Sequence, residues 1–248
     1  MKTALITGAA SRLGVPMAHF FAGQNYRVLL HVNRSRDKAL ELARDLAGAG
    51  ARAQVLAGDF TEQASIAAFC EELTTRFGAP DVIVNNASVF EHDFPGEASA
   101  DKLAESLSVH AMAPFMILEA VAAAKHPQAS VTAFNILDQK LLSFNADYYS
   151  YTLGKSALMA LTSIWQGAGR ADMRVFGLLP GLMFPSGSQT QERFDADQKK
   201  IPTGRATPAE DICALMGFFL AHPDLPGQML PIDGGEHLVV RRRDIAFE

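Results

Sequence analysis

The chain is poor in several features whose absence narrows its chemistry. Its 248 residues include two cysteines, one tryptophan and no surplus of positive charge. Cys70 and Cys213 lie far apart in helix-patterned segments, with no CxxC pair and no cluster at metal-ligand spacing. Both read as small buried apolar residues, and no metal site is expected. Lysine and arginine number 22 against 27 aspartates and glutamates, a net charge of −5. Nothing in that balance calls for nucleic acid or an anionic membrane as partner. The lone basic run, Arg241-Arg242-Arg243, is followed by Asp244 and Glu248 and reads as a solvated tail or a subunit contact. No long, unbroken apolar stretch suggests a membrane span, and Met1-Lys2 leads directly into a strand-like run without signal-peptide features. The expected location is the cytoplasm.

With 48% hydrophobic residues there is ample material for a core. Short apolar runs alternate with longer helix-patterned segments. Ala4–Thr7, Arg27–His31, Ala53–Ala57, Val82–Asn85, Ser130–Phe134, Arg174–Leu178 and Gln228–Pro231 read as seven strands. Helices are expected near 12–23, 37–48, 62–77, 98–124, 152–169 and 208–221, with Asp37 and Thr61 as N-caps. Val82-Ile83-Val84 and Val131–Phe134 are almost wholly apolar, which suits strands covered on both faces of a parallel sheet. The alternation predicts an α/β architecture, one doubly wound Rossmann-like domain over residues 1–248 with helices flanking a seven-stranded parallel sheet. No Pro/Gly/Ser linker and no internal repeat divides it. The least regular stretch, about Pro185–Lys200, is expected to be a loop serving as a substrate lid.

After the first strand comes Thr7-Gly8-Ala9-Ala10-Ser11-Arg12-Leu13-Gly14 and then a helix. Gly8 permits backbone angles closed to other residues, and Gly14 permits close approach of helix, strand or ligand. The helix N-terminus that follows favours an anion, so this strand–turn–helix reads as a dinucleotide phosphate site rather than a mere tight turn. The second strand ends in His31-Val32-Asn33-Arg34-Ser35. An acid near that strand end would select NAD through the ribose 2′-hydroxyl. Here Arg34 and Ser35 instead offer a cation and a hydroxyl to a 2′-phosphate, with Arg12 as a second cation, which points to NADPH. Asp59, after the third strand, suits either an adenine contact or a loop cap.

Tyr151 and Lys155 stand four residues apart, on one helix face. A neighbouring ammonium favours phenolate, lowering the tyrosine pKa and bringing proton exchange within reach. Taken in order, Thr7…Gly14, Asp59, Asn85-Asn86-Ala87, Tyr151…Lys155, Pro180-Gly181 and Asp233-Gly234-Gly235 resemble the short-chain dehydrogenase/reductase family over essentially the whole chain. The resemblance implies a homotetramer or dimer, Tyr151 as proton donor and Lys155 on the nicotinamide ribose. It also implies cofactor contacts by Gly8, Arg12, Leu13, Gly14, Asn33, Arg34, Ser35, Asp59, Asn86, Ala87, Ser88 and the Pro180-Gly181 backbone. Two positions depart from the family pattern. Thirteen residues before Tyr151, where many members have serine, stands Asp138, and the position of the family's helix asparagine holds His110.

These departures resemble the pteridine and dihydromonapterin reductases within the family. Ala9-Ala10-Ser11-Arg12-Leu13-Gly14, His31 through Ser35, Asn86-Ala87-Ser88-Val89-Phe90 and the set Asp138, Tyr151, Lys155 carry that likeness. It implies reduction of a dihydropterin by NADPH. Phe90 would stack on the flat ring, Ser88 and Arg12 would bond its edge, and Asp138 would keep the Tyr151 phenol protonated as an acid. Met183, Phe184 and Phe94 could wall the pocket, but plain core packing is the favoured reading of all three. The competing expectations are a carbonyl reductase of a small ketone or sugar, and a non-catalytic nucleotide sensor.

Overall fold

The unbroken apolar run at Val82–Val84 reflects where that strand lies. The computed structural model describes residues 1–185 and 189–247. Among them, β1 (Thr3–Ile6), β2 (Arg27–Val32), β3 (Ala53–Ala57), β4 (Val82–Asn85), β5 (Val131–Ile136), β6 (Met173–Pro180) and β7 (Met229–Ile232) form one sheet in the order β3-β2-β1-β4-β5-β6-β7. Each pairing recorded there is parallel. Alternate residues of each strand point to opposite faces. Ile6, Leu30, Val84, Phe134 and Phe176 therefore join Met17, Phe21, Ile212 and Met216 in one buried layer. Leu5, Leu29, Ile83, Ala133 and Val175 join Phe69, Leu73, Ile117 and Val121 in the other. Each large side chain so buried contributes about 1.5–3 kcal/mol.

The α-helices among the described residues are α1 (Gly14–Gly23), α2 (Arg36–Gly48), α3 (Gln63–Phe77), α4 (Ala100–Leu107), α5 (Ala113–Ala124), α6 (Tyr149–Gly167), α7 (Gln191–Gln198) and α8 (Ala209–Ala221). A π-helical turn, Ser108–Met112, joins α4 to α5 where one helix was expected. By length and composition Ala100–Ala124 could cross a membrane. In the fold, Ala113, Ile117, Leu118 and Val121 of this rod are buried.

Some expected boundaries move for local reasons. Ser35 rather than Asp37 occupies the N-cap position of α2, and Asp37 lies in the first turn, where its charge still complements the helix dipole. Glu62 rather than Thr61 precedes α3, because the Asp59 carboxylate already gathers Thr61 through its N–H (2.9 Å) and hydroxyl (2.8 Å). The expected lid loop falls partly on residues 186–188, outside the described residues. Most of the rest is α7, capped by Thr190 accepting from the Arg193 N–H at 3.2 Å.

The chain runs outward from β1 to β3 and then returns to place β4 on the other side of β1. A crevice opens at the carboxyl ends of strands where the winding reverses in this way.

Candidate active site

A cleft of about 720 Å³ occupies that crevice. Its nucleotide end is the turn between β1 and α1. Gly8 has φ +63°, and a Cβ there would lie 3.0 Å from the Ala87 Cα. A Cβ on Gly14 would collide with the Gly8 and Ala9 carbonyls, so the turn closes only with glycine at both positions. Asn86 clamps the turn by donating from Nδ2 to the Thr7 and Gly8 carbonyls at 2.9 and 3.1 Å. Beneath it, His31 accepts from the Gly8 N–H at Nδ1 (3.2 Å) and donates from Nε2 to the Gly58 carbonyl (3.0 Å). The ring is stacked on Phe60 at 3.8 Å, and burial lowers its pKa to about 4. A neutral imidazole thus ties β2 and the loop after β3 to the glycine turn.

Gly8, Arg12, Leu13, Asn33, Arg34 and Ser35 line this end of the cleft, with Asn86 and Ala87 between the two ends. Gly14 and Asp59 stand behind the lining. The Asp59 carboxylate accepts from Asn33 at 3.0 Å and from Thr61, and these hydrogen bonds hold its pKa below the usual carboxylate value. Its loop-capping role is what the geometry displays; Phe60 and Thr61 form the wall beside it. No acid faces the cleft at the end of β2, so the donor set suits a 2′-phosphorylated dinucleotide.

The other end gathers Ser88, Phe90, Asp138, Tyr151, Lys155, Pro180 and Gly181 along the cleft wall. The Tyr151 hydroxyl donates to Asp138 Oδ2 at 2.7 Å. The other carboxylate oxygen, Oδ1, accepts from the Lys140 N–H at 2.8 Å and caps a short 3-10 turn, so Asp138 both positions a loop and holds the phenol. Lys155 Nζ donates to the Ile136 carbonyl at 2.6 Å. Burial pushes the Tyr151 pKa well above the ordinary phenol value, and the Asp138 charge and hydrogen bond add to the rise. This corrects the expectation that Lys155 lowers it: in this arrangement burial and the carboxylate prevail. Lys155 itself is lowered to about 8 by burial, which the Asp138 charge opposes. Burial likewise raises Asp138, against the Tyr151 and Lys140 hydrogen bonds.

Phe90 stacks on Tyr148 at 4.0 Å and meets the Tyr151 ring edge-on at 4.7 Å. It is 44% exposed, leaving ring surface open to a ligand. Met183 and Phe184 line the cleft, and both also pack against the core. Phe94 lies under Arg243, 5.8 Å from the guanidinium, and away from the lining.

Sequence reasoning missed the contribution of the C-terminal segment. Arg241–Arg243 is not a solvated tail: Arg243 makes a two-pronged ion pair with Asp147 at 2.8 and 2.9 Å, and Asp147 is wholly buried. Arg241 donates to the Lys200 carbonyl at 2.9 Å. The anchored segment brings Asp244 and Ile245 to the cleft wall, beside Glu236. The Glu236 carboxylate accepts from the Leu182 N–H at 2.8 Å, yet burial raises its pKa to about 7. Its only sequence signal was the preceding Gly234-Gly235 pair, both at positive φ.

Cys70 and Cys213 are buried free thiols, and burial raises both to about 11.

A nucleotide-type crevice beside a buried tyrosine, lysine and carboxylate is an oxidoreductase arrangement. The chain belongs to the short-chain dehydrogenase/reductase family: the family profile described as enoyl-(acyl carrier protein) reductase matches residues 8–237. Among individual proteins, it is 26% identical over 238 residues to the dihydromonapterin reductase of Escherichia coli K12, covering 94% of this chain and 96% of that protein. The dihydromonapterin reductase of Shigella flexneri serotype 5b shows the same identity and coverage. Among solved structures, FolM alternative dihydrofolate reductase 1 from Brucella suis, in complex with NADP, superposes with TM-score 0.91 at 29% identity, over 97% of this chain and 96% of that one. The Brucella canis protein, also complexed with NADP, gives 0.90 at 29% identity, over 99% and 97%.

Proposed function

We propose that this protein is an NADPH-dependent reductase that converts a dihydropterin to the tetrahydropterin. The observation that carries the reading is the 2.7 Å hydrogen bond from the Tyr151 phenol to Asp138. A ketone reductase benefits from a donor that meets the developing oxyanion. An ionised aspartate cannot donate, and its charge opposes an alkoxide. Reduction of a ring C=N makes a different demand, because the nitrogen must receive a proton. Burial and Asp138 keep Tyr151 protonated, and the proton reaches the ring nitrogen when the hydroxyl turns from Asp138 to the substrate. Lys155, fixed on the Ile136 carbonyl, places an ammonium beside that phenol. The relatives named dihydromonapterin reductase and alternative dihydrofolate reductase support the same substrate class.

NADPH, when bound, supplies the hydride. In our assignment the glycine turn and Arg12 take its phosphates, Arg34 and Ser35 its 2′-phosphate, and Lys155 its nicotinamide ribose. Asn86, Ala87, Pro180 and Gly181 flank it, while Phe90, Ser88 and Tyr151 face the pterin. We further assign a cytoplasmic homotetramer formed from one domain per chain. Exposed large apolar side chains, Met112, Phe115, Ile164, Phe218, Leu238 and Val240 among them, support the assembly.

The test is NADPH consumption with dihydromonapterin, dihydrobiopterin and dihydrofolate, the product being identified as the tetrahydro form. Turnover of at least one supports the reading. Failure with all three, in a protein shown to bind NADPH, overturns it.

A further inference from the structure

His110 occupies the π-helical turn between α4 and α5, where its ring is 1% exposed and edge-on to Tyr151 at 5.3 Å. Its hydrogen bonds determine which nitrogen carries the proton. The Val89 backbone N–H can only donate, and it points at Nε2 from 3.3 Å. Nε2 is therefore the acceptor, and the proton sits on Nδ1, which donates to Ser106 Oγ at 3.1 Å. Ser88 Oγ lies 2.9 Å from the same Nε2, so its hydroxyl must be the donor in that pair. The nearest other protein partner of the Ser88 hydroxyl, the Val89 carbonyl at 3.4 Å, is also an acceptor. Either way the hydroxyl proton is directed into the protein. What Ser88 presents to the cleft is oxygen lone pairs.

Two surrounding features hold this polarity. Gly154 backs the imidazole so closely that a Cβ there would lie 2.9 Å from Nδ1, so α6 keeps the ring in place. Burial and the nearby Lys155 charge keep the imidazole neutral, its pKa well below the ordinary histidine value. A protonated ring would offer N–H to Ser88 and reverse the direction of the hydrogen bond.

We infer that His110 is a positioning residue that fixes Ser88 as a hydrogen-bond acceptor toward bound ligand, so that this point of the cleft receives an N–H and disfavours a carbonyl oxygen. The inference deepens the dihydropterin reading and rests on it, since a pterin edge is rich in N–H donors. With Asp138 facing the same space, the substrate end then offers acceptors at two points.

The tautomer is tested directly by long-range proton–nitrogen NMR on nitrogen-15-labelled protein, the His110 signals being assigned by their loss in His110→Gln. A neutral ring with Nδ1 protonated and Nε2 bare, across neutral pH, is expected. A proton on Nε2, alone or in an imidazolium, overturns the inference. Kinetics give the second arm. His110→Leu should raise the dihydropterin KM about tenfold with little change in kcat, as expected for one misdirected hydrogen bond. His110→Gln should recover most of that loss, because its side-chain oxygen can accept from Ser88. In a Ser88→Ala background, His110→Leu should add almost nothing. Fully additive effects, or equal losses in the Leu and Gln variants, overturn the role. Absence of dihydropterin turnover in the parental enzyme would count against the substrate reading, while the tautomer result stands on its own.

Discussion

At its nucleotide end the cleft is lined by residues close together in the chain, Gly8 to Leu13 and Asn33 to Ser35, whereas its substrate end joins Ser88, Asp138, Tyr151, Glu236 and Ile245 from separate segments. The first end relies mainly on backbone amides, glycine space and a strand end, which are local, with Asn86 and His31 bracing the turn from farther along the chain. The second relies on side chains that meet only when the fold is complete. Tyr151 and Asp138 are 13 residues apart, and the Arg243–Asp147 clasp spans 96. Cofactor binding and substrate chemistry should therefore be separable by mutation.

Asp138→Asn should show that separation most visibly. It replaces the charged acceptor of the Tyr151 hydrogen bond by a neutral amide, and general acid–base contributions are worth about 10²–10⁴-fold. A fall of about a hundredfold or more in kcat for dihydropterin reduction is expected, with the NADPH Kd unchanged by fluorescence titration. Asp138→Ser should not restore pterin turnover, but should increase reduction of an activated ketone. Near-parental pterin kinetics in folded Asp138→Asn would leave Asp138 only its loop-capping role.

Arg34→Ala is the reciprocal change at the nucleotide end. Loss of a charge-assisted contact costs about 1.5–3 kcal/mol, a roughly ten- to hundredfold weaker NADPH Kd. NADH binding should not move. Equal losses for both cofactors would remove Arg34 from the 2′-phosphate.

A pH profile probes where the two ends meet, at Lys155. Its pKa is lowered to about 8, so the ammonium is present below that pH and lost above it. Turnover should fall as pH rises through about 8, reaching roughly a tenfold loss one unit higher. Glu236→Gln should retain the inflection, which distinguishes it from the Glu236 carboxyl near 7.

Phe90→Ala should have the smallest effect. Stacking is worth about 0.5–1.5 kcal/mol beyond area burial, so the dihydropterin KM should rise roughly two- to twelvefold. The NADPH Kd should hold; a change confined to it would move Phe90 to the wrong end of the cleft.

The same contrast explains what could be read from the amino acids. The strands were legible because β4 and β5 are mostly apolar and buried on both faces, and the glycine turn because only Gly8 and Gly14 fit its backbone. Asp138 was legible by its offset from Tyr151, and with it the carboxylate's part in raising the Tyr151 pKa, but the larger part comes from burial, which no spacing reveals. The tail Arg241–Arg243 misled because a basic run near a chain end looks solvated until its partner Asp147 is known. Asp244 and Ile245 carried no comparable signal, since their place on the cleft wall follows from a long-range ion pair, and neither did Glu236, which the distant Leu182 N–H holds. His110 stood out as a departure, but its role needed the Val89 N–H, a backbone group that sequence patterns do not locate.

The central claim is that a phenol held protonated by a carboxylate suits reduction of a ring C=N over reduction of a ketone. Its most direct test is the ratio of kcat/KM for a dihydropterin to that for an activated ketone, both with NADPH and the parental enzyme. We expect the dihydropterin to be favoured by at least about tenfold, a difference of about 1.4 kcal/mol in transition-state stabilisation. An enzyme that reduces the ketone efficiently and leaves the dihydropterin untouched would contradict the account.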